Sequence, residues 1–122
     1  MKTKENDTAR TLGKLGEELA EELLKQEEYE ILARNYRCPY GEIDLIAEKD
    51  GVLAFLEVKT RRSSRYGTPA EAVSGEKQRK IRQTAASFLA ETDRHFREME
   101  FQVMEITVRH LKGLSFQEVG IC

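Results

Sequence analysis

Apolar residues in the first quarter of the chain recur at helical spacing. Four leucines return every three or four residues, which indicates an amphipathic helix: Leu12, Leu15, Leu19 and Leu23. Thr8 or Thr11 would cap the start of this helix, and the pattern ends near Gln26. Because residues 1–8 are polar, we expect a flexible N-terminus followed by one domain over residues 9–122.

The next three segments predict strands: the first is rich in β-forming residues, the second alternates apolar and polar residues, and the third is largely apolar. The first strand covers about residues 29–38, the second about 42–48 and the third about 52–60. Asp50-Gly51 between the last two is typical of a type I′ turn, because such a turn needs positive φ angles at both central residues. The third strand is apolar on both faces, so we expect it in the centre of the sheet.

The second half of the chain predicts a helix followed by further strands. A helix with one apolar face is expected over about residues 74–90, and residues 101–108 alternate as a fourth strand. A short last strand is expected at 114–119. The order α-β-β-β-α-β, with an antiparallel start and a helical crossover, indicates a mixed α/β fold.

The predicted hairpin brings carboxylates together. With residues 50–51 at the centre of the turn, the register places Asp44 opposite Glu57 and Glu42 opposite Lys59, on one face of the sheet. Like charges in direct opposition destabilise a sheet, so such a pair would need a shared proton or a divalent cation such as Mg²⁺. On spacing alone the pattern favours an ordinary exposed face, with Glu57 or Glu42 paired to Lys59.

Charge is distributed unevenly along the chain. The 122 residues carry a net charge of −2, which indicates no overall basic field for nucleic acid. Residues 59–82, however, contain eight basic and two acidic residues, and the acids are concentrated in residues 17–30. This segregation predicts either one basic face or a solvated helix surface.

Two cysteines, Cys38 and Cys122, are too few for a disulfide framework and lack metal-site spacing. We therefore expect free thiols in a reducing cytosol. The sequence shows no signal peptide and no apolar run of transmembrane length. These features predict a cytoplasmic protein without a membrane partner.

Several motifs together resemble a bacterial protein family. Asp44 stands thirteen residues before Glu57-Val58-Lys59, which is similar to the Asp…Glu-x-Lys core of the PD-(D/E)XK nuclease superfamily. Other segments resemble the YraN-like family, itself similar to archaeal Holliday-junction resolvases: Gly13-x-x-Gly16-Glu17, Asn35-Tyr36-Arg37-Cys38, Gly41-Glu42-Ile43-Asp44-Leu45-Ile46-Ala47, Phe55-x-Glu57-Val58-Lys59-Thr60-Arg61, Gly67-Thr68-Pro69-Ala70-Glu71-Ala72-Val73 and Lys77-Gln78-x-Lys80-Ile81. The resemblance implies a restriction-endonuclease-like fold of the resolvase type.

The same resemblance implies a site for Mg²⁺ or Mn²⁺. Asp44, Glu57 and the carbonyl of Val58 would hold the metal, with Glu17 reaching it from the first helix. Lys59 would be the catalytic lysine, acting beside the two metal-binding carboxylates.

Nucleic-acid contacts are expected around this site. Gln78 resembles a polar family position that faces the site, and Gln102 stands where family members often carry an acid. Four basic residues near the site are candidates for phosphate contacts: Arg61, Arg62, Arg65 and Lys80.

These features predict a metal-dependent endonuclease, and the resemblance implies structured or branched DNA as its substrate. A symmetric homodimer would suit such DNA. Two alternatives stay open at this point. One is a nucleic-acid-binding module that keeps the nuclease scaffold with little or no catalysis. The other is a domain whose acidic hairpin contacts a protein partner.

Overall fold

The protein is represented by a computed structural model in which residues 4–61, 75–108 and 117–121 are described. Its elements follow the expected α-β-β-β-α-β order, with a fifth strand at the end. They are α1 (Lys4–Gln26), β1 (Glu30–Cys38), β2 (Gly41–Lys49), β3 (Val52–Arg61), α2 (Gly75–Glu91), β4 (Glu98–Val108) and β5 (Gln117–Ile121). The mixed α/β fold class is therefore confirmed.

The five strands form one mixed sheet in the order β1-β2-β3-β4-β5. The β1, β2 and β3 strands pair antiparallel, β3 and β4 pair parallel, and β4 and β5 pair antiparallel. Because α2 lies between the parallel strands in sequence, it belongs to the predicted crossover. As predicted, β3 is central.

Several elements differ from prediction at their ends. The α1 helix begins at Lys4, so the proposed caps Thr8 and Thr11 lie inside it; no proline or glycine interrupts the chain before Gly13. The β4 strand begins at Glu98 because it already pairs there with Val52 of β3. Whether the N-terminus is flexible and residues 9–122 form one domain stays a prediction.

The final strand and the helices add two further findings. The β5 strand lies slightly later than the expected 114–119, of which residues 114–116 fall outside the described ranges. Within those ranges, no helix combines the length and apolarity needed to cross a membrane.

Each helix covers one face of the sheet and buries a separate apolar cluster. The α1 cluster combines helix and strand residues: Ala20, Leu24, Leu45, Ala47, Ala54, Leu56, Met104 and Ile106. The α2 cluster has four fully buried strand residues, against which Ala85, Phe88 and Leu89 of the helix pack: Ile43, Ile46, Leu53 and Phe55. This double burial explains the nearly continuous apolar run of β3.

The β2–β3 turn has the predicted geometry. Asp50 and Gly51 have φ angles of 54° and 82°, and Lys49 pairs with Val52. The Gly51 carbonyl also accepts a hydrogen bond of 2.7 Å from the amide of Arg97. This contact ties the hairpin to the start of β4.

Candidate functional site

The β2–β3 ladder ends just before the candidate carboxylates. It runs from Lys49–Val52 to Leu45–Leu56 in the predicted register. Beyond that pair, Asp44 Oδ2 accepts a 2.7 Å hydrogen bond from the backbone amide of Val58. The carboxylate thus takes up a backbone donor at the point where strand pairing stops.

The predicted extension of the hairpin is therefore wrong in its last steps. Asp44 and Glu57 are not a ladder pair, and Glu42 does not lie opposite Lys59 within the ladder. Glu42 instead forms an ion pair of 3.6 Å with Arg37 of β1. Repulsion between directly opposed acids explains why regular pairing is unfavourable here.

The alternation of side chains also breaks at Asp44. Ile43 and Ile46 pack in the same α2 cluster, although residues three apart in a regular strand point to opposite faces. In the neighbouring strand the pairing keeps one register from Arg34–Leu45 to Tyr36–Ile43, while Asn35, between these pairs, has a φ of 51°. Asp44 consequently lies where the alternation of β2 is interrupted, beside a residue of β1 that has a left-handed backbone conformation.

Asp44 lines a cavity on each face of the sheet. The α1-side cavity has a volume of 310 Å³ and includes Glu17, Glu21 and Arg34. The α2-side cavity has a volume of 250 Å³ and includes Glu57 and Lys77. The structure thus brings Asp44 together with Glu17 through one cavity and with Glu57 through the other.

Two acids of α1 differ sharply in the α1-side cavity. Glu21 accepts a hydrogen bond of 2.8 Å from Arg34 Nε, and this bonding to Arg34 lowers the Glu21 pKa to about 2. The pKa of Glu17 is raised by burial and by the negative charges of Asp44 and Glu42. Arg34 therefore compensates the charge of Glu21, while Glu17 lies near the negative charge of Asp44.

Asp44 itself lacks enough compensating charge. Burial raises its pKa, the hydrogen bond from Val58 opposes that effect, and the charges of Glu57 and Glu42 raise the pKa further. Lys77 partly offsets this repulsion. A divalent cation would neutralise the remaining excess of negative charge.

Replacing Asp44 with asparagine should stabilise the metal-free protein near neutral pH. A carboxyl whose pKa is raised above its ordinary 3.8 binds its proton more tightly in the folded state, so its ionisation opposes folding as the pH rises. We expect the stability gain of Asp44→Asn to be present at about pH 7 and to shrink towards about pH 4. Urea unfolding in chelator across this range measures it; a destabilised variant at neutral pH would contradict the expectation.

Two lysines approach Glu57 from different elements. Lys59 is half-buried and follows Glu57 by two residues on β3, which places both on the same face of that strand. Lys77 extends from α2, with its Nζ 3.3 Å from Glu57 Oε2. The sequence placed Lys77 in the basic region and in the motif Lys77-Gln78-x-Lys80-Ile81 without assigning it a role at the site. Its spacing of four residues from Ile81, which lies on the apolar face of the predicted helix, is the signal that places it near that face.

The donor set suits a hard divalent cation. Asp44 and Glu57 supply carboxylate oxygens, and Mg²⁺ typically uses one or two carboxylates together with water and substrate phosphate. Across residues 4–61, 75–108 and 117–121, no three His, Cys, Asp or Glu side chains form a ready-made metal cage. The two-carboxylate arrangement fits Mg²⁺ or Mn²⁺ with open coordination positions; ligation by Glu17 and by the Val58 carbonyl stays a prediction.

The predicted nucleic-acid residues that the structure describes are Arg61 on β3 and Gln78 and Lys80 on α2. Arg61 Nε lies 2.8 Å from Glu105 Oε2, whereas Arg62 and Arg65 lie outside the described residues. On α2, Gln78 is exposed, and Lys80 Nζ lies 3.8 Å from Glu76. Contacts of these residues with nucleic acid stay predictions.

On β4, the buried acidic residue is Glu105, whereas the sequence resemblance singles out Gln102. Gln102 is half-buried, pairs in register with Leu56 and donates a side-chain hydrogen bond to Glu100. Glu105, three residues later, is the buried acid of this strand. In the sequence, Glu105 could have been recognised as an acid at an apolar position of the alternating segment 101–108.

Comparison with known proteins agrees with the sequence resemblance. The model of the family described as "Uncharacterised protein family UPF0102" matches residues 16–106. A UPF0102 protein of Syntrophomonas wolfei is 48% identical over 99 residues, covering 81% of this chain and 86% of the relative. A UPF0102 protein of Rhodococcus opacus is 50% identical over 97 residues, covering 80% and 82%, respectively.

A more distant relative extends the match. The UPF0102 protein of Alkaliphilus metalliredigens is 37% identical over 108 residues, covering 88% of this chain and 95% of the relative. The family model spans α1 from Gly16 onwards and reaches Ile106 of β4, so it includes the lining residues of both cavities around Asp44 except Lys14. The chain belongs to the UPF0102, or YraN-like, family.

Proposed function

We propose that this protein is a divalent-metal-dependent endonuclease that hydrolyses phosphodiester bonds in structured or branched DNA in the cytoplasm. The observation that carries the proposal is Asp44, a half-buried acid held where the β2–β3 ladder stops and sharing a cavity with Glu57. Two carboxylates that share a cavity repel each other unless a positive charge or a proton compensates them. A bound metal ion would neutralise the negative charge of both carboxylates and could also activate water for hydrolysis.

Asp44 and Glu57 would hold Mg²⁺ or Mn²⁺, with Glu17 approaching Asp44 from the α1 side. When bound, such an ion activates water and neutralises charge on a phosphodiester. Lys59 would position the attacking water and stabilise negative charge developing on the phosphate oxygens. Lys77 would leave Glu57 or move aside as the metal and the substrate enter.

The substrate side of the proposal rests on charge and position. The α2-side cavity lies between Glu57 and the first turns of α2, where Lys77, Arg79, Lys80 and Arg82 are exposed. A phosphate backbone lying along the cavity side of this helix would meet Lys77 and Lys80 while reaching the acidic pair. A symmetric homodimer would match the local two-fold symmetry of a four-way junction.

The test is cleavage of labelled single-stranded, duplex, flap and four-way-junction DNA with Mg²⁺ or Mn²⁺. We expect the wild type to cut a branched substrate only with metal, and Asp44→Asn to lose the activity. Thermal unfolding with and without Mn²⁺ accompanies the assay, because a ligand that binds only the native state raises its stability.

Each outcome has a distinct meaning. Equal cleavage by wild type and Asp44→Asn would remove Asp44 from the active site. Junction binding without cleavage by the wild type would replace the nuclease with a nucleic-acid-binding module. The absence of both binding and any response to Mn²⁺ would reject the proposed function.

A further inference from the structure

Glu105 is a charged residue inside the sheet. It retains 7% of its accessible surface, and its Oε2 accepts no hydrogen bond within the described part of the chain. The nearby Arg61 Nε, at 2.8 Å, forms an ion pair whose direction does not meet hydrogen-bond geometry. A buried carboxylate is costly unless it is compensated, so this pair requires an explanation.

Strand register defines the neighbours of Glu105. On one side, the parallel pairing places Glu105 beside Lys59 and Thr107 beside Arg61. On the other side, Glu105 pairs with Gly120 of β5, which has no side chain. Among the neighbouring strands, β3 therefore supplies the positive charges beside Glu105, from Lys59 and Arg61.

The same strand carries the candidate catalytic residues. Glu57, Lys59 and Arg61 alternate along β3 and share a face, with Arg61 about 13 Å beyond Glu57 in strand length. A guanidinium binds phosphate best through a planar pair of donors, and its plane must be oriented to do so. The Glu105 carboxylate, 2.8 Å from Nε, attracts that end of the guanidinium by charge and so limits where the group can lie.

We propose that Glu105 is a positioning residue, which orients Arg61 at the end of β3 to bind a phosphate of the DNA substrate. This inference rests on the proposed function. Glu105 acts through Arg61 and touches neither the metal nor the scissile phosphate. The site that it supports is a phosphate-binding position next to Lys59, beyond the acidic pair.

The experiment compares Glu105→Gln, Arg61→Ala and the double variant in binding four-way-junction DNA. Fluorescence anisotropy is measured in Ca²⁺ over a range of salt concentrations. We expect Glu105→Gln to weaken binding about tenfold, close to the effect of Arg61→Ala, with little further loss in the double variant. If Glu105 affected DNA only through its negative charge, Glu105→Gln would tighten binding. A positioning role and a simple charge effect therefore predict changes in affinity of opposite sign.

Glu76→Gln is the matched control, because it removes an exposed acid that pairs with Lys80 in the same basic region. It should leave binding unchanged or slightly tighter. The Nε–H NMR resonance of Arg61 supplies a readout that is independent of DNA; it should shift, and the Arg61 side chain should become more mobile, when Glu105→Gln removes the neighbouring charge. Urea unfolding verifies that the variants are folded.

The outcomes separate the two proposals. If the wild type binds the junction and Glu105→Gln binds equally or more tightly, the positioning role is overturned while the proposed function stands. An Arg61 resonance that is unchanged in Glu105→Gln would also overturn it. If the wild type binds no DNA of any form, both proposals fail.

Discussion

Replacing Lys59 with alanine should reduce metal-dependent DNA cleavage by a factor on the order of 10²–10³. The loss should appear in kcat, because the ammonium group would act on charge that develops in the transition state. Binding of Mn²⁺ should be nearly unchanged, since the metal would be held by Asp44 and Glu57. Single-turnover cleavage and calorimetric titration with Mn²⁺ measure the two quantities separately.

Two other lysines make this prediction specific. Lys49 lies at the turn end of β2, over the ring of Tyr29 at 5.4 Å, so Lys49→Ala should retain full cleavage. Lys77 forms an ion pair with Glu57, so it is the alternative to Lys59 as the catalytic lysine. If Lys77→Ala loses cleavage and Lys59→Ala does not, the catalytic lysine is supplied by α2 rather than β3.

Gly16→Ala should destabilise the protein by about 1–3 kcal/mol. A Cβ atom at residue 16 would lie 1.8 Å from Thr60 Oγ1 and 2.9 Å from Thr60 Cβ. Rotation of the Thr60 side chain removes the first contact but leaves the second, so α1 must move away from β3. Because Glu17 is the next residue, this movement would also shift the acid that faces Asp44.

Gly13→Ala on the same helix is the matched control. Its Cβ would meet nothing within 4 Å, so the better helix propensity of alanine should stabilise the protein by up to about 1 kcal/mol. Urea unfolding midpoints should therefore move in opposite directions. Thr60→Ala combined with Gly16→Ala should recover part of the loss; equal gains for both alanine variants would disprove close packing at Gly16.

The structure changes the picture of how the acidic site is built. A regular hairpin would have held Asp44 and Glu57 as opposed neighbours on one face. Instead, the Asp44 carboxylate binds the Val58 amide and opens onto both faces. A single residue can therefore be approached by Glu17 from α1 and by Glu57 from β3.

Local patterns alone determined most of the fold. The spacing of leucines predicted α1, the Asp50-Gly51 dipeptide predicted the turn and its register, and the doubly apolar β3 predicted a central strand. These features follow from interactions between residues close in sequence or on one face of an element. The motifs around Asp44, Glu57 and Lys59 also identified the family.

Tertiary structure alone decided the partners of the charged residues. Glu57 pairs with Lys77, Glu42 with Arg37, and Glu105 with Arg61; the sequence pattern predicted none of these pairs. Packing of α2 on the sheet brings Lys77 to Glu57 of β3. The parallel pairing of β3 with β4 brings Glu105 to Arg61. Charged side chains are long, and their partners depend on where whole elements pack, so periodicity along the chain cannot specify them.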